Sequence, residues 1–198
     1  MTIISQLDYE DYKTLHKLCL EFKASSNPWF ESSYPSFIDH SISKIDDLIP
    51  LIAFAYSWMP TIPTVKFELL ANDENLLIEL KSLQTGTGFN LYEIIGKMIP
   101  AINNSIVGTS KVLHFIAPES IAIIDSRVVR AWKKHINFGS ISFPYTFSRQ
   151  NIEASIDSYV HYNYVMNMWR DNIKSFEKDF MLRDLEFMLY QLGGNEND

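Results

Sequence analysis

A chain of 198 residues, 46% hydrophobic and 14% aromatic, carries enough apolar material to bury a core in one domain or in two small lobes. A single cysteine, Cys19, excludes an intramolecular disulfide framework and every multi-cysteine zinc pattern; with no basic-then-apolar N-terminus and no apolar run of membrane length, a soluble, cytoplasmic protein is expected. The net charge of −7 excludes a uniformly basic surface that coats nucleic acid, but not a local basic patch.

In chain order, apolar residues recur at helical period. Tyr12, Leu15, Cys19 and Phe22 share one face of a first segment, and Leu91, Ile94, Ile95, Met98 and Ile102 mark another in the middle. Leu182, Leu185, Leu189 and Leu192 form a stripe near the end. The expected fold is all-α, with helices broken at or near Pro28, Pro35, Pro50, Pro60, Pro63, Pro100, Pro118 and Pro144. Thr64 to Leu69 and Ile121 to Ile124 are the only strand candidates, and neither has an evident partner. No repeat or flexible linker divides residues 1–198. The stretch Asn137 to Tyr145 is the best internal boundary, and Gly193 to Asp198 reads as a polar tail. The terminal helix, with Arg183, Asp184 and Glu186 beside its leucines, is expected to keep its charges outside, Arg183 and Asp184 being the candidates to turn inward.

The segment 91–135 carries the chemistry. Helix Leu91 to Asn103, a turn at Asn104 to Val107 and a second helix from Gly108 to Ile116 are expected, followed by the apolar run Ile121–Ile124, then Asp125, then a basic helix. Between Ser105 and His135, five cations (Lys111, Arg127, Arg130, Lys133, Lys134) face two acids (Glu119, Asp125), a local balance of +3 in a chain of −7. Arg127, Arg130 and Lys134 are spaced to share one helix face.

The run "AIIDSRVVRAW" resembles the signature of the helix-hairpin-helix superfamily of DNA glycosylases. Ala122 stands where the family has proline, and Asp125 stands at its aspartate. The resemblance spans Leu91 to Trp132, about a fifth of the chain. It implies base removal from DNA with Asp125 as the catalytic carboxylate. Asn104, Ser105, Gly108, Thr109, Ser110 and Lys111 would be DNA contacts around the hairpin, and Arg127, Arg130 and Lys134 contacts on the basic helix. Asn103-Asn104-Ser105 replaces the family's glycine-containing turn. Asparagine tolerates the left-handed backbone that glycine favours there. Counting back from Asp125 places Val107 where strand-cleaving members carry a lysine, which implies a monofunctional enzyme; Lys111, one turn on, keeps the lyase alternative open.

A fixed carboxylate in a water-poor pocket suits this reaction, because breaking an N-glycosidic bond puts positive charge on the sugar. The base must also leave the helical stack to be reached, and Trp29, Trp58, Tyr56, Tyr162 and Trp169 are the aromatic candidates to receive it. A specialised substrate, such as a hypermodified base in invading DNA, fits the modified turn. Each residue also has an ordinary role. Asp125 before Ser126 is a standard helix N-cap, Lys111 an exposed first-turn residue, His114 a hydrogen-bonded packing residue, and the basic face a solvated surface. No spacing of His, Asp and Glu suggests a metal site, and no cofactor or membrane is expected. The alternative from another class is a non-catalytic helical protein in a defence or toxin–antitoxin module, binding nucleic acid or protein through its basic helix; a filled apolar core beside Asp125 would favour it.

Overall fold

The computed structural model describes residues 4–21, 28–38, 40–137 and 151–194. Among these it is all-α, with nine helices: α1 (Tyr9–Glu21), α2 (Pro28–Phe37), α3 (Leu48–Ser57), α4 (Glu74–Thr85), α5 (Leu91–Ala101), α6 (Ile106–Ile116), α7 (Ser126–His135), α8 (Ile152–Lys174) and α9 (Leu182–Leu192). Their starts follow side-chain chemistry. Asp73, Asn90, Ser105, Asp125 and Asn151 each accept a backbone N–H from the first turn of the helix they precede. Prolines fall mostly at helix edges: Pro28 opens α2, Pro50 lies in the first turn of α3 and Pro100 in the last turn of α5, with Pro35 the exception inside α2.

Helix α6 is the centre. Ten of its eleven residues are buried, so it lacks the polar outer face of a surface helix. It packs on α3, α4, α5 and α8, while α9 packs on α1, α7 and α8. No helix among the described residues is long and apolar enough to cross a membrane.

The two strand candidates do not form a sheet. Val65 makes one isolated bridge to Ile102 before a 3-10 turn at Phe67–Leu69. Ile121–Ile124 is an extended link whose buried backbone is satisfied by side chains. Asn163 Oδ1 accepts Ala122 N–H at 2.7 Å, Glu186 Oε1 accepts Ile123 N–H, and Ser110 Oγ accepts Ile124 N–H at 3.3 Å. In turn His114 Nδ1 donates to the Ile121 carbonyl at 2.6 Å, and the Tyr159 and Tyr162 hydroxyls donate to the Ala122 and Ile123 carbonyls at 2.8 Å. Buried backbone polar groups must be paired, and α6, α8 and α9 together pair this link. The expected boundary at Asn137 to Tyr145 and the tail beyond Gly194 lie outside the described residues, apart from Asn137 itself.

Candidate active site

A turn joins α5 and α6, two residues earlier than expected: it runs from Ile102 to Ser105, with Asn103 in the turn and not in the helix. Asn103 and Asn104 take successive left-handed conformations, with φ of 55° and 48°, which a short polar side chain tolerates best after glycine. Ser105 then caps α6, its hydroxyl accepting Gly108 N–H at 3.0 Å.

Asp125 ends the link and caps α7. Its Oδ1 accepts both Arg127 N–H and Val128 N–H at 2.9 Å. Its Oδ2 takes no hydrogen bond among the described residues. The aspartate lines a small pocket of about 60 Å³, open at its mouth. Phe30, Trp58 and Tyr190 supply aromatic walls, and Lys111, Arg183 and Glu186 join Asp125 as its charged or ionisable groups.

Lys111 corrects the expectation of an exposed first-turn side chain: it is 7% exposed and lines the pocket. The amine makes no hydrogen bond or ion pair among the described residues. Burial pulls its pKa below the ordinary lysine value; the Asp125 carboxylate opposes this and the Arg183 guanidinium adds to it.

Arg183 and Glu186 correct the expectation that α9 turns its charges outward. The Arg183 guanidinium lies over the rings of Tyr34, Phe187 and Trp58, at 5.0, 5.5 and 5.6 Å from their centroids. Its polar partner is Glu186 Oε2, at 3.5 Å. Glu186 is 1% exposed. Burial raises its carboxyl pKa to about 8, against the lowering effect of Arg183 and of the Ile123 N–H, while the Asp125 charge raises it further. Asp184 stays at the surface and accepts Met181 N–H.

Behind the pocket wall, His114 is fully buried, in its ordinary packing role. A carbonyl can only accept, so the bond to Ile121 puts the proton on Nδ1; Nε2 therefore accepts from the Tyr34 hydroxyl at 2.8 Å. Burial and then the Arg183 charge push the ring's pKa down to about 3, and it is neutral.

The expected DNA contacts divide. Asn104 and Lys134 are exposed and Ser105 is partly so. Gly108, Thr109, Ser110 and Lys111 are buried, which corrects their placement on a phosphate-facing surface. A Cβ at Gly108 would sit 2.6 Å from the Tyr56 phenol oxygen. Ser110 donates to the Val107 carbonyl and accepts Ile124 N–H. On α7, Arg127 and Arg130 face α9: the Arg127 guanidinium lies 4.6 Å from the Tyr190 ring centroid, and Arg130 Nε donates to the Gly193 carbonyl at 2.7 Å. Of the proposed stacking aromatics, Trp58 lines the pocket, Trp29 is half exposed, and Tyr56, Tyr162 and Trp169 belong to the core. Lys111, Glu186, Phe30 and Tyr190 are the pocket residues that sequence reasoning missed or misplaced. For Glu186 a signal existed, since it falls on the same face of α9 as Leu182, Leu185 and Leu189.

No protein-family model, curated protein or solved structure matches this chain.

Proposed function

We propose that the protein is a DNA glycosylase that takes an extruded base into this pocket, with Asp125 facing the sugar and the Lys111 amine as its nucleophile. One observation carries the reading: a carboxylate oxygen and a buried amine, neither with a hydrogen bond among the described residues, line the same aromatic-walled pocket. The aromatic walls suit the faces of a flat base, which stack on side chains of this kind, and they must part to widen a pocket of about 60 Å³. Asp125 suits the positive charge that develops on the sugar as the glycosidic bond breaks. The buried amine loses its proton more readily than an exposed lysine, which suits a nucleophile. Attack at C1′ and ring opening would leave a Schiff base, which favours the strand-cleaving alternative over the monofunctional one, since Val107 does not line the pocket. A filled apolar core beside Asp125 would have favoured the non-catalytic alternative, and a small pocket with ionisable groups stands there instead.

The test uses duplexes carrying 8-oxoguanine, hypoxanthine, uracil, 5-hydroxymethyluracil or 7-methylguanine and phage DNA with hypermodified bases, with released base measured by mass spectrometry. Release by wild type that is lost in Asp125→Asn is the expected result. Release by neither protein on any substrate contradicts the proposal.

A further inference from the structure

Glu186 is a second carboxyl in the pocket, and the proposed role of Asp125 and Lys111 leaves it without one. Its position is fixed from the link itself: Oε1 accepts the N–H of Ile123, two residues before Asp125. An amide at this position would accept the Ile123 N–H but would turn a donor toward the Arg183 guanidinium that Oε2 now accepts from. A carboxyl in the pocket beside Asp125 and Lys111 adds that acceptor and, when protonated, a proton to give. We propose that Glu186 is the acid that protonates the base as it leaves, so that the site takes neutral bases with a proton-accepting edge, not cationic alkylated ones. This inference rests on the glycosylase reading.

The surroundings suit that role. Glu186 is faced by Arg183 on its own helix, His114 and Lys111 on α6, Asp125 at the start of α7, Tyr34 on α2, and Tyr159 and Tyr162 on α8. His114 is neutral, the tyrosines are held protonated by burial, and Asp125 disfavours a second negative charge. Burial first, and the Asp125 charge with it, hold the Glu186 proton to about pH 8 against the opposing pull of Arg183 and the Ile123 N–H. In the step, the bonding pair of the C1′–N bond moves onto the base while the Glu186 proton passes to the base edge, and the base departs neutral. The Lys111 lone pair forms the new bond to C1′, and the ammonium proton released goes to Asp125. Glu186 is left as a carboxylate beside the Arg183 guanidinium, and water reprotonates it once the base has gone. An alkylated base that is already cationic gains nothing from such a donor and meets the Arg183 charge.

The experiment compares wild type with Glu186→Gln in two reactions. The first is release of base from the neutral members of the duplex panel. The second is borohydride trapping on DNA with a preformed abasic site, where no base has to leave. General acids contribute roughly 10²- to 10⁴-fold. Glu186→Gln should therefore lose base release by about 100-fold or more while trapping abasic DNA as wild type does. Wild-type release should fall about tenfold per pH unit above pH 8, a limb missing from the variant. The 7-methylguanine duplex should lose base no faster than without protein. Base release by Glu186→Gln within a few-fold of wild type, or an alkaline limb that persists in it, overturns the acid role while leaving the glycosylase reading standing. Loss of trapping together with base release makes Glu186 structural and also overturns it. A wild type that neither releases base nor traps abasic DNA sinks both.

Discussion

Lys111 and Asp125 line one pocket from α6 and from the start of α7 without closing into an ion pair. A closed pair would leave each group neutralised by the other. Held apart, the carboxylate keeps an oxygen without a hydrogen bond among the described residues, which the proposed reaction would turn to the sugar. Asp125 does this while its other oxygen caps α7, so the cap and the proposed catalytic role fall on different atoms of one side chain.

That division predicts a separation of stability from activity. Asparagine keeps an acceptor for the cap but has no charge, so Asp125→Asn should unfold within about 0.5 kcal/mol of wild type while base release falls by about 100-fold or more. Asp125→Ala should lose about 1 kcal/mol more, as a missing cap does. Urea unfolding beside a base-release assay checks this, and near-wild-type release by the asparagine variant removes Asp125 from the mechanism.

The buried Lys111 amine has no partner among the described residues, a cost to folding that an apolar side chain of similar length avoids. Lys111→Met should therefore match or exceed wild type in stability, by about 1 kcal/mol. Thermal unfolding decides the point. A melting temperature several degrees lower would show that the amine anchors the core.

The buried ionisable groups predict opposite dependences on pH. His114 is pushed down to about 3, so between there and its ordinary value the unfolded chain binds a proton that the folded one refuses, and stability rises with pH. Glu186 is raised to about 8, so from its ordinary value up to there the folded chain holds a proton that the unfolded one has lost, and stability falls with pH. Subtracting the profile of Glu186→Gln isolates the second effect, which should have a slope of about 1.4 kcal/mol per pH unit and level off above pH 8. Parallel profiles for the two proteins would mean that Glu186 titrates normally.

On α7, two kinds of cation should separate. Lys134 is exposed, so Lys134→Glu should weaken DNA binding and reduce the salt slope by roughly one phosphate contact without altering stability. Arg130→Glu should also destabilise the fold, because Arg130 holds the Gly193 carbonyl at the end of α9. A Cβ on Gly193 would collide with the Arg127 carbonyl, so α7 and α9 meet too closely there to shift independently. An unchanged salt dependence in Lys134→Glu would place the DNA elsewhere.

Much of this frame was legible in the sequence. The helical spacing of Leu91, Ile94, Ile95 and Met98, the Asn103-Asn104 turn and the cap at Asp125 are local features, and local patterns encode them. Lys111 was not legible, because periodicity shows which residues share a face and not whether a neighbouring helix covers every face, as happens to α6. Ile121–Ile124 looked like a strand without a partner because its partners are side chains, most of them those of Asn163, Tyr159, Tyr162 and Glu186, roughly 40 to 60 residues away. Glu186 reads as an outward charge until its place among Leu182, Leu185 and Leu189 is counted, and Phe30 and Tyr190 meet at the pocket only through tertiary packing.

The most direct measurement is borohydride trapping on DNA with a preformed abasic site, because it asks only whether an amine in this pocket reaches the sugar carbon. Wild type should form a covalent protein–DNA adduct, Lys111→Gln should form none, and peptide mapping of the adduct should place the modification on Lys111. No adduct from wild type, or one that survives in Lys111→Gln, contradicts the assignment of Lys111 as the nucleophile.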